Sequence, residues 1–86
     1  MRKPRLSDTV TTQELDGEVV VLDQASSRLF HLNGMAGLIL FHCDGEHTET
    51  DIVESLRQTV EGADPKLLAR DVAETLDFLE REKVVL

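Results

Sequence analysis

His42, Cys43 and His47 carry the most chemical potential in this 86-residue chain, because imidazole and thiolate are good zinc ligands. Their spacing argues against a shared ion. Neighbouring residues on a helix point about 100° apart, so His42 and Cys43 would not converge with His47 without distortion. No fourth ligand stands at a suitable spacing. Cys43 reads as a small buried hydrophobe inside a helix, and the histidines as surface or rim residues. Nucleophilic catalysis is disfavoured on a separate ground, since Asp44 beside Cys43 raises a thiol's pKa. The Asp and Glu residues are scattered at helical surface spacing, with no isolated apolar pair for acid and base roles, and neither a P-loop nor a GxGxxG motif occurs. No catalytic residue, metal or cofactor is expected.

The elements that position these residues must form one small domain, which on folding buries roughly 60 to 65% of the surface its unfolded chain exposes. Hydrophobic residues make up 41% of the chain, yet Trp and Tyr are absent and Phe30, Phe41 and Phe78 are the only aromatic rings of that class, so aliphatic packing dominates. The formal charge of −8 disfavours nucleic acid and anionic lipid as partners. From Asp44 onward five basic residues face twelve acidic ones, a balance of −7. A single cysteine requires no oxidising compartment, and no run resembles a signal peptide or a membrane span. A cytoplasmic protein is expected.

Along the chain, residues 1–6 with Pro4 read as a flexible lead-in and residues 7–86 as the domain. A Thr- and Val-rich strand is predicted from about Ser7 to Leu15, followed by Asp16-Gly17, the strongest hairpin signal present, and a second strand over 18–23. Val19 to Leu22 are apolar on both faces, so that strand needs the helices on one side and a second cover on the other. Arg28 to Leu32 form a third strand at the edge of the meander. Asn33 is a good N-cap for a helix running to Gly45 as its C′ residue, with Gly34 and Gly37 tolerated for close packing. Thr48 and Asp51 resemble a capping box; Ile52, Leu56 and Val60 mark the buried face of a second helix that Gly62 ends. Asp64-Pro65 opens a third helix whose stripe is Leu68, Val72, Leu76 and Leu79, flanked by Leu67 and Phe78. The apolar tail 84–86 packs back onto the domain. The fold class is α+β, β-β-β-α-α-α, a three-stranded antiparallel sheet followed by three helices and resembling a winged helix-turn-helix.

The third strand is the unusual element. It should expose a row of unpaired N–H and C=O groups, yet Leu29 and Phe30 sit between Arg28 and His31 with little of the charge or proline that normally blunts such an edge. Either a covering element or a second copy protects it, or a guest peptide adds a strand there.

The order VVLD, RLFHLN, a helix containing AGLI, CDGEHT, DIVESL and DVAETLDFLEREKVVL resembles the PqqD-like family from about Leu6 to Leu86. These are peptide chaperones of pyrroloquinoline quinone biosynthesis and related recognition domains of ribosomally made, modified peptides. Met35, Leu40 and Lys83-Val84 depart from the residues common there, chiefly as packing changes. The resemblance implies a leader segment lying antiparallel to the third strand, in the groove beside the third helix. It nominates Leu29, Phe30 and His31 on the strand, and Leu67, Asp71, Val72 and Thr75 on the helix. Asp71 would meet a basic or hydroxyl group of the leader, or else face solvent or cap local backbone.

The implied function is non-catalytic: binding a precursor's leader and presenting it to a separate maturation enzyme. That partner is a radical S-adenosylmethionine enzyme in the quinone branch, or a cysteine protease in the lasso-peptide branch. The rival reading is a homodimer paired through the edge or through a face containing Val20 and Leu22. Winged-helix DNA binding is a weaker rival, because Asp71, Glu74, Asp77 and Glu80 would accompany Lys66 and Arg70 towards the phosphates.

Overall fold

Asp16 at φ 50° and Gly17 at φ 80° fold β1 (Val10–Leu15) back onto β2 (Glu18–Asp23), as the Asp-Gly pair predicts. The computed structural model describes residues 2–86. After β2 come β3 (Arg28–Leu32), α1 (Gly34–Phe41), α2 (Glu49–Thr59) and α3 (Pro65–Arg81), the predicted α+β order. The sheet is antiparallel with strand order β1-β2-β3. None of the helices among the described residues is long and apolar enough to cross a membrane.

β1 begins later than predicted. Ser7 donates its amide to the Val84 carbonyl at 2.9 Å, and Val10 donates to the Ser7 carbonyl at 3.2 Å, so residues 7–9 turn instead of extending. The helix starts follow the sequence closely. Asn33 Oδ1 accepts from the Ala36 amide, Thr48 and Asp51 form a reciprocal capping box, and Asp64 accepts from the Lys66 amide ahead of Pro65.

α1 ends sooner than predicted, at Phe41, and Cys43 lies beyond it. The His42 and Cys43 amides bond to carbonyls three residues back, which tightens and closes the last turn. Gly45 does have positive φ, 81°, but not as the C′ residue of the helix. Its amide donates to the Pro4 carbonyl at 2.9 Å, and an added Cβ would sit 3.2 Å from the Arg5 side chain.

Residues 2–6, expected as a flexible lead-in, are tied into the domain; Met1 lies outside the described residues. Pro4 is fully buried, while Arg5 bridges Asp44 and Leu6 bridges Val85. Arg2 pairs with Glu49 of α2 and, at 2.9 and 3.0 Å, with Asp77 and Glu80 of α3. Partial burial opposes its charge, but hydrogen bonds to Glu49 and Asp77 outweigh this and hold its pKa above the usual value. Val84 and Val85 are buried, so the tail packs back as predicted.

The core joins Val19 and Val21 of β2 to Ile39, Leu40, Ile52, Leu56 and the α3 stripe Leu68, Val72, Leu76 and Leu79. Gly37 lets α1 sit directly on β2: a Cβ there would lie 2.5 Å from Val19 Cγ2. The second face of β2 has no complete cover among the described residues, with Val20 half-buried and Leu22 exposed.

Candidate functional site

Among the described residues β3 is hydrogen-bonded on one side only. Its partner is β2, in the register Val19↔Leu32, Val21↔Phe30 and Asp23↔Arg28. The described residues of neither terminus fill the other side, because the arm pairs with the Asp44 loop and with Val85. The outward N–H and C=O groups of β3 are therefore available to another chain.

Alternation divides the strand's side chains between two faces. Arg28, Phe30 and Leu32 share the helix-facing side with their cross-strand partners Asp23, Val21 and Val19. Leu29 and His31 lie on the opposite face, both exposed.

α3 supplies the second wall. Helical spacing puts Leu67, Asp71, Thr75, Phe78 and the C-cap Glu82 on one side, next to the buried stripe. No Cα of β3 comes within 8 Å of a Cα of α3. Side chains span this gap at one end. The Phe30 and Phe78 rings meet edge to face at 6.2 Å. Arg28 pairs with the Glu82 carboxylate at 2.7 Å, donates to the Glu82 carbonyl at 2.8 Å, and lies 5.0 Å from the Phe30 ring centroid. The groove is thus bridged at the start of β3.

Phe30, Leu67, Asp71 and Thr75 of the sequence-nominated residues border this groove. Leu67 is 56% exposed, Thr75 is half-buried, and Asp71 is exposed with no hydrogen-bond or ion-pair partner among the described residues. Leu29 and His31 flank the edge from the far face. Val72 has no exposed surface, so it supports the helix wall from within the core. Arg28, Phe78 and Glu82 were not nominated. The available signal was periodicity, since Phe78 follows Thr75 by three residues and Asp71 by seven.

The residues first suspected of metal chemistry are engaged locally. Cys43 Sγ donates to the Ile39 carbonyl at 3.3 Å; burial, reinforced by Asp44, pushes its pKa up to about 12. His42 Nδ1 donates to the Leu38 carbonyl at 2.7 Å, and His47 Nδ1 lies 2.7 Å from Asp44 Oδ2. No group of three His, Cys, Asp or Glu side chains among the described residues could hold a metal ion.

An unpaired strand edge beside an apolar and polar helix ridge can accept an extended chain: the backbone gives register and the ridge reads alternate side chains. Two solved structures share the architecture. TbiB1 in complex with the TbiA(beta) leader peptide aligns with a TM-score of 0.83 at 22% identity, covering 94% of this chain and 93% of that one. Lasso peptide synthetase B1 complexed with the leader peptide aligns with a TM-score of 0.83 at 25% identity, covering 98% of each chain. No curated protein matches the chain. The pattern of PqqD, coenzyme PQQ synthesis protein D, matches residues 18–85, from the start of β2 almost to the C-terminus. With its sheet edge, three helices and most of its length inside that match, the chain belongs to the PqqD family.

Proposed function

We propose that this protein is a non-catalytic module of the cytoplasm that binds the leader of a ribosomally synthesised precursor peptide and presents it to a separate maturation enzyme. The observation that carries the reading is the unpaired outer edge of β3 facing the α3 ridge of Leu67, Asp71, Thr75 and Phe78. A leader adding a strand there would gain backbone hydrogen bonds from β3 and side-chain contacts from the ridge. The PqqD family match and the leader complexes of both structural neighbours support the same reading. The maturation enzyme is a radical S-adenosylmethionine enzyme in the quinone branch and a cysteine protease in the lasso-peptide branch.

The test is hydrogen exchange on the free protein titrated with the leader encoded beside its gene. Outward amides of β3 should exchange rapidly alone and become at least about tenfold protected when the leader is bound. Folded protein that shows no binding at tens of micromolar, or that gains protection only away from β3, would remove the proposal.

A further inference from the structure

The groove beside β3 ends in two hollows of opposite charge. Where β3 stops and α3 starts, Met35, Leu67 and Leu68 line a hollow together with Glu61, Asp64 and Asp71, and its lining contains no Lys, Arg or His. Where β3 starts and α3 stops, the lining contains Arg28, Arg81 and Lys83 alongside Asp23 and Glu82.

Local bonding sharpens the contrast. At the second hollow Glu82 takes Arg28, while Asp23 keeps its charge, held by the Thr9 hydroxyl at 3.0 Å and the Ala25 amide at 3.1 Å. Arg81 and Lys83 have no ion-pair partner among the described residues, and the Arg81 guanidinium lies 5.9 Å from the Phe78 ring centroid. At the first hollow Asp64 is engaged in capping, while Asp71 and Glu61 have no ion-pair partner among the described residues. The lining side chains of the first hollow therefore carry three negative charges and no positive one, whereas at the second Arg81 and Lys83 exceed Asp23 by a single positive charge. A positive hollow is unexpected from a chain of net charge −8.

We propose that the groove selects a guest strand by charge order: a basic side chain upstream, an acidic one downstream, and an aliphatic side chain near the first of these, against Met35, Leu67 and Leu68. This rests on the leader-binding reading and specifies the peptide class that it admits. The direction follows from antiparallel addition, the pairing already used throughout this sheet and slightly the more stable per residue. A guest antiparallel to β3 enters at the Leu32 end, beside Asp71, and leaves at the Arg28 end, beside Arg81.

The spacing follows from helix and strand rises. From Asp71 to Arg81 α3 climbs roughly 15 Å. An extended guest at about 3.4 Å per residue covers this in about four residues, an even number that keeps both charges on one face. Solvent-exposed pairs of this kind each change affinity by up to about fivefold and are screened by salt.

A phage-displayed library of random 12-residue peptides, panned on the whole protein at low salt, tests the inference. Enriched peptides should carry Lys or Arg about four residues before Asp or Glu and should protect β3 amides from exchange. Exchanging the two charges in a selected synthetic peptide should weaken binding at least about fivefold at low salt, with the difference closing at high salt. Arg81→Glu should abolish the downstream acidic preference. Enriched peptides that protect β3 but lack the charge order, or tolerate its exchange, would overturn this inference and leave strand addition intact. A library from which no β3-protecting peptide emerges would overturn both.

Discussion

The rings of Phe30 and Phe78 meet at an interplanar angle of 89° with their centroids 6.2 Å apart, linking the open-edge strand to α3 where their backbones stay separate. Both rings are half-buried. The pair therefore anchors β3 to the helix layer and presents aromatic surface to the groove.

Phe78→Ala should destabilise the domain by about 2 kcal/mol, from lost apolar burial and the aromatic pair together. It should also weaken leader binding by about tenfold. Urea unfolding and calorimetric titration check the two effects separately. Unchanged affinity in a folded variant would place the guest away from this ring.

Gly37→Ala should cost about 2 kcal/mol even though alanine favours helices more than glycine does. The new Cβ would stand 2.5 Å from Val19 Cγ2, and a β-branched side chain has little rotameric freedom with which to withdraw. Adding Val19→Ala should recover part of the loss in a double-mutant cycle. Independent, additive costs would contradict the contact.

The Cys43 thiol should react with an aromatic disulfide reagent at pH 8 about a thousandfold more slowly in the native protein than in the unfolded chain. Burial at 5% exposure limits access, and a pKa of about 12 leaves little thiolate. Comparable rates in the two states would mean that the α1–α2 loop opens readily.

The Asp44–His47 pair gives a pH signature. The Glu46 amide, followed by the His47 ring, depresses the Asp44 pKa to about 2, so its contribution is present above the unfolded value near 4 and is lost as pH falls towards 2. The hydrogen bond to Asp44, assisted by its charge, raises the His47 pKa. That contribution is complete below about 6.5 and is lost as pH rises through the raised value. The pair thus stabilises most between about pH 4 and 6.5. His47→Gln should lower Tm more at pH 5.5 than at pH 8; equal shifts at both pH values would show that the pair carries no linked proton.

Much of the helical framework was legible because its signals are local. Asn33, the Thr48–Asp51 box and Asp64-Pro65 each act within one turn, and Leu68, Val72, Leu76 and Leu79 share a face through helical period alone. Gly45 was misplaced because positive φ identifies a conformation and not its purpose; its amide serves Pro4, some forty residues earlier in the chain. Arg2 and Pro4 looked like a loose lead-in because their partners lie on α2, α3 and the Cys43–Gly45 turn.

By itself the sequence determined the element order, the helix N-caps, the hairpin turn and the existence of an edge strand, since each depends on neighbours within a few residues. Only tertiary structure decided that Val72 is core while Asp71 borders a groove, that Phe78 reaches Phe30, and that Glu61, Asp64 and Asp71 share one hollow while Arg28, Arg81 and Lys83 share another with Asp23 and Glu82. Helical periodicity gives angles between residues of one helix, whereas which side of α3 turns towards β3 depends on how the sheet and helix layers pack.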